Sequence, residues 1–395
     1  MTNTETAGPV RSIERALVPD LARGSMLLLI ALANAVGVVF AAAPGVGPVT
    51  HWYERALNLV MFTLVNARAY PVFAVMFGYG LVQLTRRQAA AGASTSTIRT
   101  ILLRRNTALI AFGAVHGVLF YFGDFLGAYG IVGTVMAVLV LPRGEKVQRI
   151  GLGLWALAAV ELSYFALRSI LLMSHGLGGS AGVPTSRSPS LAAPDYLASL
   201  LARLTEWPAH TLSVVPFIVI VWLGSLAARR RILEEPDRHL TVLRGVAAGG
   251  LGIAAVGGLP LALVSAGWSG VDEPTADALS TLSNVSGMFA GPGYVALLAL
   301  LGRRLTRDHA VVAALCALGQ RSLSGYLFQS LAWTLLLMPY SLALAAGSVS
   351  PLMVGALVAV TVWLISVLGA VALEWRDLPG PAERLLRRLT YGTRP

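Results

Sequence analysis

Runs of about 20 apolar residues recur along this chain, and each is long enough to cross the hydrocarbon core of a bilayer as a helix. The first, SMLLLIALANAVGVVFAAA, starts at Ser25. It lacks the alternation of apolar and polar residues that a membrane β-strand requires. Composition points the same way. Of 395 residues, 56% are hydrophobic and only 12% are charged, too few charges to cover a soluble surface of this size. The expected fold class is an all-α integral membrane protein with about ten transmembrane helices and both termini inside.

The expected spans lie near 25–43, 69–85, 105–122, 127–142, 150–173, 209–228, 243–265, 282–302, 310–337 and 351–373. Segment 51–66, HWYERALNLVMFTLVN, is interrupted by Glu54 and Arg55 and reads as an interfacial or re-entrant helix on the outer side. Residues 1–24 read as a cytoplasmic tail without the order of a secretory signal, 25–373 as the membrane domain, and 374–395 as a second cytoplasmic tail. The outer loop 175–207 is rich in Gly, Ser and Pro. Its first half is expected to be flexible, and its end, DYLASLLARLTEW, to form a short amphipathic helix.

Orientation follows from Lys and Arg near span ends. With the N-terminus inside, the inner segments collect Arg11, Arg15 and Arg23, then Arg86 and Arg87, Arg104 and Arg105, Arg229 to Arg231, Arg303 and Arg304, and the tail arginines through Arg394. The outer loop 267–280 instead carries Asp272, Glu273 and Asp277. The net charge of +11 is therefore a topology signal with attraction to anionic lipid, and nucleic-acid binding is not expected. The single Cys316 excludes an internal disulfide. No metal-ligand spacing, phosphate-binding loop or serine-hydrolase elbow is present, so no metal is expected.

Ionisable groups inside apolar runs are costly and mark candidate sites. The stretch GAVHGVLFYFGDFLGAYG at 113–130 holds two, His116 and Asp124. On a continuing helix His116 lies about 17 Å beyond Arg105, near the midplane, and Asp124 about 12 Å further out. The spacing His116, Phe120, Asp124 then forms a stripe on one helix face. A general base or proton relay is one reading of His116; a bond to a neighbouring helix is the other. Asp124 either serves that chemistry or caps the loop into the next span. Asp20 and Arg23 sit three apart at the inner mouth of the first span, as an ion pair or with Arg23 turned to a phosphate-bearing ligand. Arg68 precedes the second span on the outer side. Arg321, Tyr326 and Gln329, in GQRSLSGYLFQS, make the ninth span too polar to face lipid. Asn34 and Glu161 read as interhelix bonding groups.

Five ordered stretches carry a resemblance. RGSMLLLIALAN, ARAYPVFAVMFGYGLVQLTRRQ, RRNTALIAFGAVHGVLFYFGDFLGAYGIVG, GQRSLSGYLFQS and GPAERLLRRLTYG span nearly the whole chain. Together they resemble the YeiB-like family, domain of unknown function 418. Departures are modest: PDLARG for an L-D-x-L-R-G form, Tyr70 and Pro71 where Phe and Ser are usual, and Ala382 at a bulkier position. The resemblance implies kinship with transmembrane acyltransferases, which move an acyl group from a cytoplasmic donor to an acceptor on the other face. It implies His116 as the candidate catalytic histidine.

Two function classes stay open from the sequence. In a membrane acyltransferase, Arg23, Arg104 and Arg105 hold the phosphates of an acyl-CoA donor such as acetyl-CoA. His116 and Asp124 act on a small-molecule, glycan or lipid acceptor, with Arg68 on the outer side. In a proton-coupled transporter or flippase the same groups line a path. A scaffold without turnover is the third option. No bound cofactor is expected, the expected location is the cell membrane, and the oligomeric state is not readable.

Overall fold

The computed structural model describes residues 17–47, 49 and 51–392. Arg11, Arg15, Arg394 and the first 16 residues of the expected tail lie outside the described residues. Helix α1 runs Leu17–Phe40, so it opens within the stretch assigned to the tail. Helices α2 (Trp52–Val60), α3 (Ala69–Ala90), α4 (Thr95–Leu119), α5 (Leu126–Val135), α6 (Glu145–Gly176) and α7 (Tyr196–Val214) follow. The rest are α8 (Ile218–Arg229), α9 (Leu240–Ser265), α10 (Glu273–Gly302), α11 (Ala310–Gln320), α12 (Ser322–Leu336), α13 (Pro351–Glu374) and α14 (Pro381–Tyr391). The protein is an all-α, multi-pass membrane protein.

Helix length and apolarity alone do not reproduce the count of about ten. Among the described residues seven helices are long and apolar enough to cross a membrane, or eight if α11 and α12 count as one broken span. Two of the expected spans fall on other helices. Span 105–122 lies on α4, which has the length but is made too polar by Arg104, Arg105 and Asn106. Span 127–142 lies on the short apolar helix Leu126–Val140. Segment 51–66 is helical, and the chain leaves the helix at Asn66 and Ala67 before α3 begins. Helix α2 passes through a π turn at Met61–Val65 and, with α3, makes up the apolar stretch Trp52–Ala90.

Close crossings need small residues, because backbones meet only where no side chain intervenes. At the crossing of α3 and α8, a methyl group on Gly78 would lie 1.8 Å from the Val221 carbonyl oxygen. One on Gly224 would lie 2.1 Å from that of Val75. Helix α9 lies along α10, and α1 packs against α11 and α13. Val72, Ala74, Met76, Leu81, Ile220 and Val221 form part of the largest core cluster.

The loop after α6 is tied down. Gly178 donates to the Gly270 carbonyl, and Ala42–Ala43 pairs antiparallel with Ser186–Arg187. Both halves of the expectation for 175–207 therefore change. The first half is held by backbone bonds, and DYLASLLARLTEW opens the long helix α7, capped by Asp195 onto the Ala198 N–H at 2.8 Å.

Candidate active site

The site is built where α4 stops. A helix end leaves its last carbonyls without partners. Here the guanidinium of Arg203, fully buried on α7, donates to the carbonyls of Val118 and Leu119 at 3.2 and 2.6 Å. A cation at a helix C-terminus also matches the helix dipole. The chain then reverses, with the N–H groups of Phe120 and Tyr121 both returning to the His116 carbonyl. This reversal overturns the continuing-helix stripe. Asp124 does not lie about 12 Å beyond His116. It folds back onto it.

His116 Nδ1 and Asp124 Oδ1 are 2.8 Å apart. Both side chains are buried, at 2% and 0% exposure. Asp124 Oδ2 accepts the Gly127 N–H at 2.8 Å, capping the first turn of α5. The two sequence readings of Asp124, chemistry and cap, are thus one arrangement, with an oxygen for each. Gly113 makes room for it, since a methyl there would sit 2.5 Å from Asp124 Oδ2 and 2.3 Å from the Gly127 nitrogen. With Asp124 accepting from Nδ1–H, the lone pair of a neutral imidazole lies on Nε2. Nε2 has no hydrogen-bond partner among the described residues.

A cavity of about 970 Å³ opens between the start of α1, the end of α3, α14 and the link from α8 to α9. Its lining carries Arg23, Arg86, Arg87, Arg105, Arg231 and Arg387 against Asp20, Glu234 and Glu383. The mouth is therefore cationic. Arg105 lies over the Phe77 ring at 5.3 Å. Asp20 pairs with Arg307 at 3.2 Å and more loosely with Arg23 at 3.9 Å. Inward the lining becomes aromatic. Tyr70 stacks on Phe125 at 5.4 Å, and Phe77 on Tyr129 at 5.1 Å. Tyr326 also lines the cavity, and its ring centre lies 5.0 Å from that of His116. His116 does not line the cavity, so this floor separates the two.

The structure brings Asp20, Arg23, Arg105 and Tyr326 to the cavity and leaves other candidates elsewhere. Arg104 is exposed and lies outside the lining. Helical geometry explains the split, because adjacent residues point about 100° apart. Arg68 is buried beside α9 and α10, donating to the carbonyls of Asn66 and Ala254 and to Ser283 Oγ. It braces the packing there and lies outside the cavity. Arg321 sits at the 83° break between α11 and α12 and pairs with Glu374 while donating to the Leu378 carbonyl. Gln329 stands one turn beyond Tyr326 on α12, fully buried.

Several residues escape the sequence reading. Arg203 lies in the expected short amphipathic helix, where nothing in its local sequence marks it as a partner for the end of α4. Arg86, Arg87, Arg231 and Arg387 count there only as topology charges, because nothing in their local sequence shows that they converge.

The carboxy-terminal part of the chain, residues 227–393, matches the family model described as protein of unknown function DUF418. A Bacillus subtilis (strain 168) protein described as uncharacterized protein YxaH is 26% identical over 368 residues, 86% of this chain and 84% of that one. Residues 227–393 thus match DUF418, and the chain is similar to YeiB-like proteins. An Escherichia coli (strain K12) relative, uncharacterized protein YeiB, is 31% identical over 134 residues, 32% of each chain. A Bacillus acidopullulyticus relative, described as an uncharacterized 39.9 kDa protein in the amylase 3′ region, is 27% identical over 236 residues, 60% of this chain and 61% of that one. Two of the family-like stretches meet in space. Glu383 of GPAERLLRRLTYG receives the N–H groups of Leu323 and Ser324 of GQRSLSGYLFQS.

Proposed function

We propose that this protein is an acyltransferase of the cytoplasmic membrane, moving an acyl group from a CoA-type donor to an acceptor hydroxyl or amine. The observation that carries the reading is the buried His116–Asp124 pair behind the floor of an arginine-mouthed cavity. A CoA-type donor joins several phosphates to a long thioester arm. Arg23 and Arg105, with Arg387 of α14, suit the phosphates. The aromatic inner lining suits the arm and the acyl group. Arginine-rich segments mark the cavity mouth as the cytoplasmic side.

The chemistry follows from the tautomer. Nε2 of His116 takes the proton of the acceptor O–H as that oxygen bonds to the thioester carbonyl carbon. Asp124 holds the Nδ1–H and stabilises the imidazolium that forms. When the C–S bond breaks, the proton on Nε2 passes to the departing thiolate. The products are an ester, or an amide for an amine acceptor, and free CoA thiol. Tyr326 lies between cavity and imidazole, so its ring must turn aside for the acyl carbon to arrive. Asp20, Arg68, Arg104 and Arg321 have packing or surface roles in this scheme.

One observation favours a second reading, a transporter. The span α11–α12 is broken at 83°, and discontinuous helices often flank transport sites. Purified protein in nanodiscs, given labelled acetyl-CoA and n-octyl β-glucoside, separates the two. Appearance of acetylated glucoside supports acyl transfer. Label or glucoside crossing proteoliposomes chemically unchanged, with no product, replaces it with transport.

A further inference from the structure

Beyond the Tyr326 floor, one face of α12 carries Tyr326, Gln329, Ser330 and Trp333 at helical spacing, all buried. Two ends of this face are fixed by contacts. Tyr326 abuts the His116 ring. Trp333 shares a packed cluster with Tyr121, whose backbone N–H returns to the His116 carbonyl and whose hydroxyl donates to Asn34 Oδ1 at 3.4 Å. Gln329 stands between them on the same face of α12.

This region keeps polar atoms that pair with nothing among the described residues. Both amide atoms of Gln329, the indole N–H of Trp333 and Nε2 of His116 are buried without a hydrogen bond. Gln329 is 1% exposed, Trp333 1% and His116 2%. Burying a polar group without a partner is costly. Three side chains in one region carrying that cost point to a ligand that supplies the missing bonds.

Their chemistry defines the ligand. Gln329 offers one acceptor and an NH₂ donor, Trp333 a donor, and His116 Nε2 an acceptor. Hydroxyl groups answer both kinds. The charges nearest the pair are engaged: both terminal nitrogens of Arg203 are taken by Val118, Leu119, Ser199 and Tyr340, and Asp124 is held by His116 and Gly127. Glu206, on the Tyr121 side, accepts the Ser190 N–H with one oxygen and keeps the other buried and unpaired among the described residues. The rings of Tyr121, Tyr326 and Trp333 supply flat apolar walls, which suit the C–H face of a polyol or sugar ring.

We infer that this enclosed region is the acceptor site, that it takes a neutral hydroxyl-bearing group, and that Gln329 positions the hydroxyl on His116 Nε2. The inference rests on the acyl-transfer reading for its name, but the pocket is testable without turnover. Diethyl pyrocarbonate carbethoxylates accessible neutral imidazoles, and mass spectrometry identifies the residue modified. Protein in phosphatidylcholine nanodiscs is treated with reagent alone, or with n-octyl β-glucoside, octylamine or octanoate, each below its micellar concentration. The glucoside is expected to slow modification of His116 several-fold, while the amine and the carboxylate leave it unchanged. Protection is expected to be lost in Gln329→Ala and in the isosteric Gln329→Glu. Failure of the glucoside to protect wild-type His116, or equal protection by octylamine or octanoate, overturns the inference. So does a His116 that the reagent never reaches. Protection without acetyl transfer would instead remove the acyltransferase reading and leave the pocket standing.

Discussion

Glu383 of α14 receives the Ser324 hydroxyl and the N–H groups of Leu323 and Ser324, capping the start of α12 from a helix about 60 residues further along the chain. Helix α12 begins at a sharp break, so its first N–H groups have no intrahelical acceptors. A carboxylate supplied from elsewhere satisfies them and opposes the positive end of the helix dipole. Glu383→Ala is expected to destabilise the protein by about 1–2 kcal/mol, the usual scale for losing a helix cap. Thermal unfolding in nanodiscs checks this. An unchanged midpoint would show that the tail helix does not hold the break.

Arg104 and Arg105 are neighbours with different surroundings. Arg105→Ala is expected to raise KM for acetyl-CoA while leaving kcat nearly unchanged, because the group binds donor phosphate alike in ground and transition states. Arg104→Ala is expected to behave as wild type. Steady-state kinetics on both variants checks the contrast, and equal effects would contradict a donor site in the cavity.

The crossing of α3 and α8 has no space for even one methyl group at Gly78. Gly78→Ala is expected to cost about 1–3 kcal/mol, the range for overpacking, or more if the backbones cannot separate. The check is a lower yield of folded protein and a lower unfolding midpoint.

Much of the fold is legible in the sequence, because apolar length alone identifies helices in lipid. The span count is less legible. Helix α4 carries its arginines inside the helical run, and the helix at Leu126–Val140 is apolar but short. At the site, His116 and Asp124 stand out as ionisable groups in an apolar run, yet their bond is hidden. Spacing of i, i+8 suits a continuing helix, and only the Gly123–Asp124 turn signal before LGAYG marks a new helix start. Arg68 shows the reverse case. An arginine beside a span looks like a ligand group from sequence, but its partners are carbonyls and a serine of distant helices.

A pH effect is expected at the opposite face. Asp272 caps α10, and hydrogen bonding with Thr275 holds its carboxyl below the ordinary value. A carboxyl lowered by folding stabilises the fold above its unfolded pKa, and that share is lost as pH falls through the folded pKa. The unfolding midpoint should therefore drop below about pH 4. Asp272→Asn should flatten that part of the profile, and an identical acid profile in the variant would remove the cap from the explanation.

Acetyl transfer by His116→Ala, measured beside wild type in the same nanodiscs at saturating acetyl-CoA, bears on the role of the imidazole. Loss of a general base is expected to lower kcat by about 10²–10⁴-fold. Donor binding should persist, since His116 lies outside the cavity lining. A folded His116→Ala protein that transfers acetyl at the wild-type rate would contradict the His116–Asp124 pair as the catalytic base.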